Sequence, residues 1–349
     1  MNILALDLGK YKTVFCEYNS VNGEHAFGTV KTRPQEIHDL IVGREPDRVV
    51  LEVCSIAGWV VDIAEALGKE TETACALHDA WRWKNVKKKT DREDALKLAK
   101  LSAMGQLTTV HMAQKEVREK RALIKYRQRL VKYRTSIKNG IRAIFAREGI
   151  DMIRGKGIWS QQGLKWLKGQ ARDLAEVSDS EELWRGQLHV ELGLLEAVTK
   201  SLKAVESKLD KMGASDERIK RLQTINGVGP RLSEAVVAFL DNPKRFKSAK
   251  EVGSYAGLVP RQYQSGQVER QGRTGGRGNR MLRNLLVEVC WTSLAINPWS
   301  RDTYKRLLRG NSSRKKIAIT ALARKLVVRC WAMLRDEQAW KDDIQKDVA

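Results

Sequence analysis

Short apolar runs separated by amphipathic stretches mark the first 110 residues. Runs at 3–8 (ILALDL), 13–19 (TVFCEYN), 24–32 (EHAFGTVKT), 47–53 (DRVVLEV) and 71–77 (TETACAL) predict strands. Helical spacing predicts helices at 34–43, 56–68 and 90–104, the last beginning at Thr90 or Asp91. Three strands, a helix, a strand, a helix, a strand and a helix form an α/β layout with a mixed sheet, in the RNase H-like order.

The pattern changes to long helices after residue 110. Residues 115–147 carry 12 bases and 2 acids, with apolar positions every three to four residues, which predicts one long basic helix. A second leucine-rich stretch at 181–212 predicts a helical hairpin or coiled coil, suited to a dimer contact. Residues 218–240 predict a helix, a tight turn at GVGP and another helix.

These patterns divide the chain into three predicted domains of an α/β plus α protein. Residues 1–110 form an RNase H-like domain, and 111–215 form a basic helical, coiled-coil region. Residues 216–349 form a small helical C-terminal domain with a helix-hairpin-helix element.

Charge separates these regions further. The net charge of the 349 residues is +22, but residues 1–110 contain 15 bases and 16 acids, so the excess lies in the remainder. Such an excess indicates a polyanionic partner, nucleic acid before an anionic membrane surface. The sequence shows no signal-peptide pattern and no apolar run of membrane-spanning length, and its five cysteines form no CxxC pair. We therefore expect a cytoplasmic protein without a membrane partner.

Four acids occupy the positions where an RNase H-like sheet collects carboxylates. Asp7 ends the first strand, Glu52 lies near the end of the central strand, and Asp91 and Asp94 share one helix face. Each alone has a structural reading as a turn residue, an ion-pair partner, an N-cap or a surface acid. As a set they predict an oxygen-ligand site for Mg²⁺ or Mn²⁺, which two-metal phosphoryl transfer requires.

The C-terminal domain holds the candidate nucleic-acid contacts. Gly227 and Gly229 bracket a tight turn whose free N–H groups suit a phosphate, although an ordinary helical turn has the same pattern. Ser265 borders a basic stretch and is, from its residues alone, a hydrogen-bonding loop residue or a nucleophile. The candidate phosphate contacts are Arg270, Arg273, Arg277, Arg280, Arg283, Lys315 and Lys316.

Together these motifs resemble a known family. LALDLGK (4–10), VVLEV (49–53) and KTDREDALKLAKL (89–101) resemble the DEDD acids of RuvC-like insertion-sequence transposases. INGVGP, YAGLVPRQYQSG (255–266), GRGNRMLRNLLVEVCW (276–291) and KKIAITALARKLVVRCWAML (315–334) resemble their C-terminal transposase domain. The family is the insertion sequence one-ten family of bridge-RNA-guided recombinases.

The resemblance implies an enzyme that excises and inserts a mobile element. Asp7, Glu52, Asp91 and Asp94 would bind Mg²⁺, and Ser265 would attack a DNA phosphate to form a phosphoserine. It implies donor and target DNA and a bridge RNA as partners, and a nucleoid-associated protein in the cytoplasm of a bacterium or archaeon. We also expect a homo-oligomer, dimer or tetramer, whose composite active sites join the acids of one chain to Ser265 of another.

Two other functions remain open at this point. A metal-dependent nuclease for Holliday junctions or flaps would use the four acids and water and would not need Ser265. A non-catalytic nucleic-acid-binding protein with a decayed site would need neither. A covalent protein–DNA adduct distinguishes the first from a serine recombinase.

Overall fold

A computed structural model describes residues 1–75, 90–153, 155, 157–265, 268–274 and 278–341. Its N-terminal part is built on a five-stranded sheet with the order β3-β2-β1-β4-β5. The strands are β1 (Asn2–Leu8), β2 (Lys12–Asn19), β3 (His25–Lys31), β4 (Arg48–Glu52) and β5 (Glu70–Ala74). β1 pairs antiparallel with β2 and parallel with β4, so the sheet is mixed as the sequence predicts.

Helices cover both faces of this sheet. The helices are α1 (Pro34–Arg44), α2 (Ala57–Ala66) and α3 (Asp91–Ala103). α1 and α2 pack on one face, where Leu4, Leu6 and Leu51 are buried. α3 packs on the other face through fully or nearly fully buried Ala95, Leu98 and Ala99. Small side chains at two of these positions allow α3 to approach the strands closely.

Most predicted elements of this part are confirmed, with one shift in β5. The strand predicted at 71–77 begins at Glu70 and its described part ends at Ala74. Cys75 leaves the strand and donates its backbone N–H to the carbonyl oxygen of Thr108 at 2.9 Å. Residues 76–77 of that prediction lie outside the described residues.

Two long antiparallel helices form the predicted hairpin. They are α4 (Lys115–Arg147) and α6 (Leu183–Ala214), with α5 (Gln161–Gln170) packed near the tip. Arg147 bonds Gln187 near one end, and Arg127 pairs with Glu206 at 2.7 Å further back. Nearly equal steps separate these contacts on both helices, so the two arms run in regular antiparallel register. A separate core at the tip contains Ile141, Phe145 and Leu188.

The C-terminal helices pack around one large core. They are α7 (Glu217–Gln223), α8 (Pro230–Leu240), α9 (Ala249–Tyr255), α10 (Arg280–Ile296), α11 (Pro298–Leu308) and α12 (Lys315–Arg335). Leu322, Leu326 and Cys330 place α12 at its centre. A two-stranded hairpin, β6 (Pro260–Ser265) and β7 (Val268–Thr274), interrupts the helices. The C-terminal region is helical as predicted, and this hairpin is an element that the sequence pattern does not predict.

The contacts divide the chain into two compact units, residues 1–118 and 119–349. The first holds the sheet, and the second holds most of the helical hairpin and all of α7–α12. The further division near residue 215 stays a prediction. No helix in the described parts of the chain is both long and apolar enough to cross a bilayer.

Candidate active site and nucleic-acid interface

Strand register places Asp7 beside Glu52. The parallel pairing of β1 with β4 runs from Ile3 and Arg48 to Leu6 and Leu51, and Asp7 and Glu52 are the next residues on the two strands. Neighbouring strands lie about 4.8 Å apart. Both carboxylates are half-buried at the carboxyl end of these strands.

The alternation of strand side chains puts both acids on the face that α3 covers. Ile3, Ala5 and Val50 pack in the core beneath α3. Alternate residues of a strand lie on the same face of the sheet. Asp7 therefore shares a face with Ile3 and Ala5, and Glu52 shares a face with Val50. The first and fourth strands thus direct their carboxylates toward the same helix.

The first turn of α3 supplies the other two acids. The Thr90 hydroxyl accepts a hydrogen bond from the Glu93 backbone N–H at 3.3 Å and caps the helix. Asp91 is exposed and Asp94 is half-buried. Negative charge in a first turn also stabilises the helix dipole, so these acids contribute to the fold whatever else they do.

A polar network at the opposite end of the sheet sets the level of α3. The Arg48 guanidinium donates to the Ser102 hydroxyl at 3.2 Å, and that hydroxyl donates to Glu72 at 2.6 Å. From Ser102 back to Asp94 the helix rises about 12 Å. From Arg48 to Glu52 the strand rises about 13 Å. Fixing one end therefore brings Asp94 to the level of Glu52.

These carboxylates share an edge without forming a preformed metal site. Within the described ranges, no three His, Cys, Asp or Glu side chains come together in a way that could hold a metal ion. The donor set nonetheless has the chemistry of a hard divalent cation, since all four groups are carboxylates. The sheet edge gathers Asp7, Glu52 and the start of α3, and the side chains do not converge on one point.

Ser265 is the last residue of β6, not a residue of an irregular loop. It pairs with Val268 at the closed end of the β6–β7 hairpin. Arg270 pairs with Tyr263 on the same hairpin, and Arg273 lies further along β7. Arg277 lies outside the described residues. The hairpin therefore carries the serine and two of the candidate arginines on one element.

The segment after the hairpin is held by a glycine and a cap. A Cβ on Gly278 (φ +90°) would lie 2.6 Å from the Gly257 backbone nitrogen, so only glycine fits. The Asn279 side chain accepts from the Leu282 N–H at 3.0 Å and begins α10. Arg283 donates to the Gly257 carbonyl at 3.0 Å. The sequence predicts only a phosphate contact for Arg283, and the structure shows that it also joins α10 to the end of α9.

Arg280, Lys315 and Lys316 are exposed at the starts of helices. Arg280 opens α10, and the two lysines open α12, whose first turn contains no acid. Positive side chains at a helix N-terminus oppose the helix dipole by about 0.3–1 kcal/mol each. α12 thus begins with an arrangement that a bound anion would relieve.

The predicted tight turn joins α7 to α8. Gly227 has φ +95°, and a Cβ there would approach the Ser293 Cβ at 3.1 Å. Gly229 is the N-cap of α8 without a side-chain cap, and Pro230 follows it at the first helical position. Asn297 donates to the Asn226 carbonyl at 2.9 Å and holds the turn against α10.

Comparisons with known proteins identify the class. Residues 4–148 match the family model described as "Transposase", DEDD_Tnp_IS110, and residues 219–305 match "Transposase IS116/IS110/IS902 family". The chain is 26% identical to a "Probable family 20 transposase" of Pseudomonas aeruginosa, over 98% of this chain and 99% of that one. It is 28% identical to the "Transposase for insertion sequence element IS1111A" of Coxiella burnetii, over 84% and 79% of the two chains.

A shorter match extends to a protein of another name. The "Pilin gene-inverting protein" of Moraxella lacunata is 30% identical over 37% of this chain and 40% of its own length. The protein is a transposase, an enzyme that acts on DNA. It belongs to the IS110 family of insertion-sequence transposases.

Proposed function

We propose that this transposase cuts and rejoins DNA through a serine nucleophile assisted by Mg²⁺ at the acidic sheet edge. The observation that carries the proposal is the placement of Asp7 and Glu52 in consecutive register, on the sheet face covered by α3. Half-buried neighbouring carboxylates repel one another, and a divalent cation offsets that repulsion. The strand order supports an RNase H-like fold, and the α7–α8 turn supports a helix-hairpin-helix element.

The proposed chemistry conserves the phosphodiester bond. The Ser265 Oγ attacks a DNA phosphorus and forms a Ser–O–P bond, while the bond from phosphorus to the leaving sugar oxygen breaks and that oxygen takes up a proton. A hydroxyl of the partner strand then attacks the phosphoserine, which restores the serine hydroxyl and joins the new strand. Mg²⁺ held by Asp7, Glu52, Asp91 and Asp94 would acidify the attacking hydroxyl and stabilise charge on the phosphate.

The basic C-terminal unit supplies the binding charge in this proposal. Arg270, Arg273 and Arg277 belong to the serine-bearing stretch, and Arg280, Lys315 and Lys316 open helices. On α4, Lys120 pairs with Asp216 at 3.5 Å and Arg127 with Glu206, so α6 and α7 neutralise bases on its inner side. Exposed Lys125, Arg129 and Lys132 lie on the outer side. We infer donor and target DNA as partners, and a bridge RNA that specifies both.

Complementation between inactive variants tests the proposed assembly. If acids of one chain serve Ser265 of another, a mixture of Ser265→Ala and Asp7→Asn proteins regains partial recombination, because some mixed sites hold both groups. If each site forms within one chain, the mixture stays inactive. RNA that co-purifies with the protein and is required for strand joining would support the guide.

Matched variants keep the test specific. Ser265→Ala should fold and bind DNA yet form no covalent protein–DNA adduct, while Ser254→Ala, an exposed serine on α9, should react normally. Asp94→Asn should abolish cleavage, and Glu93→Gln, an exposed acid in the same turn of α3, should not. DNA cleavage by Ser265→Ala without a covalent adduct would instead support the alternative, a metal-dependent nuclease that uses water, and recombination by this variant would show that Ser265 is not the nucleophile.

A further inference from the structure

The turn between β1 and β2 displays an aromatic ring to solvent. Tyr11 is 77% exposed, and the Lys10 ammonium lies 5.0 Å from its ring centroid. The turn directly follows β1, so its backbone lies within about 14 Å of Asp7, the reach of four residues. An exposed aromatic ring therefore lies at the same end of the sheet as the acids.

Hydrogen bonds from one threonine hold this turn rigid. Thr32 donates its backbone N–H to the Tyr11 carbonyl at 3.0 Å and its hydroxyl to the Gly9 carbonyl at 2.9 Å. Its hydroxyl also meets that of fully buried Thr13 at 2.9 Å. A Cβ on Gly9 would lie 2.5 Å from the Lys12 carbonyl oxygen. A ring on so fixed a backbone loses little conformational entropy on binding a partner.

Positive charge is concentrated around this turn, although residues 1–110 as a whole are almost neutral. Lys10, Lys12, Lys31 and Arg33 are all exposed around the turn. Lys12 and Lys31 stand directly opposite each other on β2 and β3. Like charges in that position destabilise an antiparallel pair. A phosphate backbone beside the turn would convert this unfavourable pairing into a favourable contact.

We propose that the β1–β2 turn contacts a DNA strand. Tyr11 stacks on an unpaired nucleobase beside the cleaved phosphate, and the basic side chains of Lys10, Lys12, Lys31 and Arg33 bind the flanking phosphates. Aromatic stacking on unpaired bases and basic contacts to the backbone are the standard means of holding single strands. DNA is the nucleic acid on which a transposase acts. The position of the contact rests on the function proposed for the acidic edge.

Kinetics on DNA carrying the ends of the encoding element test this contact. Tyr11→Leu should lower kcat/KM for cleavage about 5- to 150-fold, the range for loss of one stacked base. Tyr11→Phe keeps the ring and should stay within about twofold on the same grounds. Val21→Ser, which changes an 85% exposed residue in the β2–β3 turn at the other end of the sheet, is the control for a change in any exposed turn and should match the wild type.

An abasic scan then identifies the stacked base. Replacing one nucleotide at a time near the cut by an abasic analogue should reveal a position at which wild-type and Tyr11→Leu proteins react equally, because the contact is already lost. The proposal is wrong if Tyr11→Leu cleaves intact DNA like the wild type. It is also wrong if the reduction of kcat/KM relative to the wild type is the same on every abasic substrate.

Binding measurements separate this proposal from the function of the acids. These measurements use Asp7→Asn protein and a DNA oligonucleotide with the fluorescent base 2-aminopurine at the identified position, or at each position near the cut. The fluorescence of 2-aminopurine should be quenched when Tyr11 is present. The quenching should be much weaker when Tyr11→Leu is added to the same background. Equal quenching would overturn the stacking contact while leaving the acidic edge intact. Active Asp7→Asn protein would instead refute the acidic edge. An effect of Tyr11→Leu on RNA oligonucleotides alone would exclude DNA as the occupant.

Discussion

Arg48→Met should loosen α3 and thereby disturb a site at the other end of the sheet. Arg48 is 15% exposed in its side chain and links Ser102 of α3 to Glu70 and Glu72 of β5. Methionine preserves the apolar stem of the side chain and removes every one of these hydrogen bonds. A hydrogen bond to a charged group contributes about 1.5–3 kcal/mol, and partial exposure of the network favours the lower half, about 2 kcal/mol.

Hydrogen exchange measures this loss unit by unit. At about 1.4 kcal/mol per factor of ten, the slowest amides of β1 should exchange about 30-fold faster in Arg48→Met. Amides of α12, in the other compact unit, should keep their rates. Arg44→Met is the matched control, because Arg44 pairs with Glu17 at 3.1 Å while half of its side chain is exposed. Such a surface pair contributes about 0–1 kcal/mol.

Cleavage reports the effect on the acids. A displacement of about 1 Å at a reacting group can reduce a rate on the order of 100-fold, so Arg48→Met should cleave DNA slowly while binding it normally. Ser102→Ala should give a smaller effect of the same kind, because alanine also favours the helix. Unchanged exchange in β1, or equal acceleration in α12, would refute the role of the network.

Three further predictions concern charge. Lys315→Gln combined with Lys316→Gln should raise the free energy of unfolding by about 1 kcal/mol, since both lysines oppose the α12 dipole, and should weaken DNA binding. Thermal melts measure the stability and binding titrations measure the affinity. A rise in both, or a fall in both, would contradict this prediction. Burial raises the pKa of Asp216, but hydrogen bonds and charge from Arg218, aided by Lys120, outweigh it and leave the pKa below its usual value. Its stabilisation is therefore present above the unfolded pKa of about 3.9 and lost as the pH falls further. Asp216→Asn should lower stability at pH 7 and should make the urea midpoint of unfolding depend less on pH in that acid range. If the midpoint of the variant depends on pH as that of the wild type does, Asp216 is not the source of this stabilisation. DNA affinity should fall steeply with salt, by about 0.9 in log–log slope per neutralised duplex phosphate, and a nearly flat dependence would exclude a phosphate footprint.

The sequence pattern predicts the sheet and the long helices because burial itself creates the pattern. ILALDL and DRVVLEV are apolar since both strands are covered on both faces, and α4 begins and ends where its basic amphipathic run does. The β6–β7 hairpin escapes prediction because PRQYQS and VERQGRT lack an apolar alternation. Its pairing rests on backbone hydrogen bonds, which leave no hydrophobic signature in the sequence.

The candidate site divides in the same way. The positions of Asp7 and Glu52 at strand ends follow from sequence, and their shared face follows once the register is known. The level of Asp94 depends on the contact of Arg48 with Ser102, residues 54 positions apart that no local pattern connects. The rigidity of the Gly9–Lys12 turn likewise depends on Thr32, which lies directly after β3.

Because α4 and α6 pack in a regular register, the helical hairpin can be lengthened or shortened without changing how its ends pack. Each arm is long, 33 residues in α4 and 32 in α6, or about 50 Å. The chain leaves and returns at one end, where Ile124 and Leu209 belong to the C-terminal core, while the tip has a core of its own. Removing or adding one heptad in both arms would change the span by about 10.5 Å and leave each terminus facing its original neighbours. Insertions and deletions paired across the two arms are thus the changes through which evolution can adjust the reach of this protein without refolding its ends.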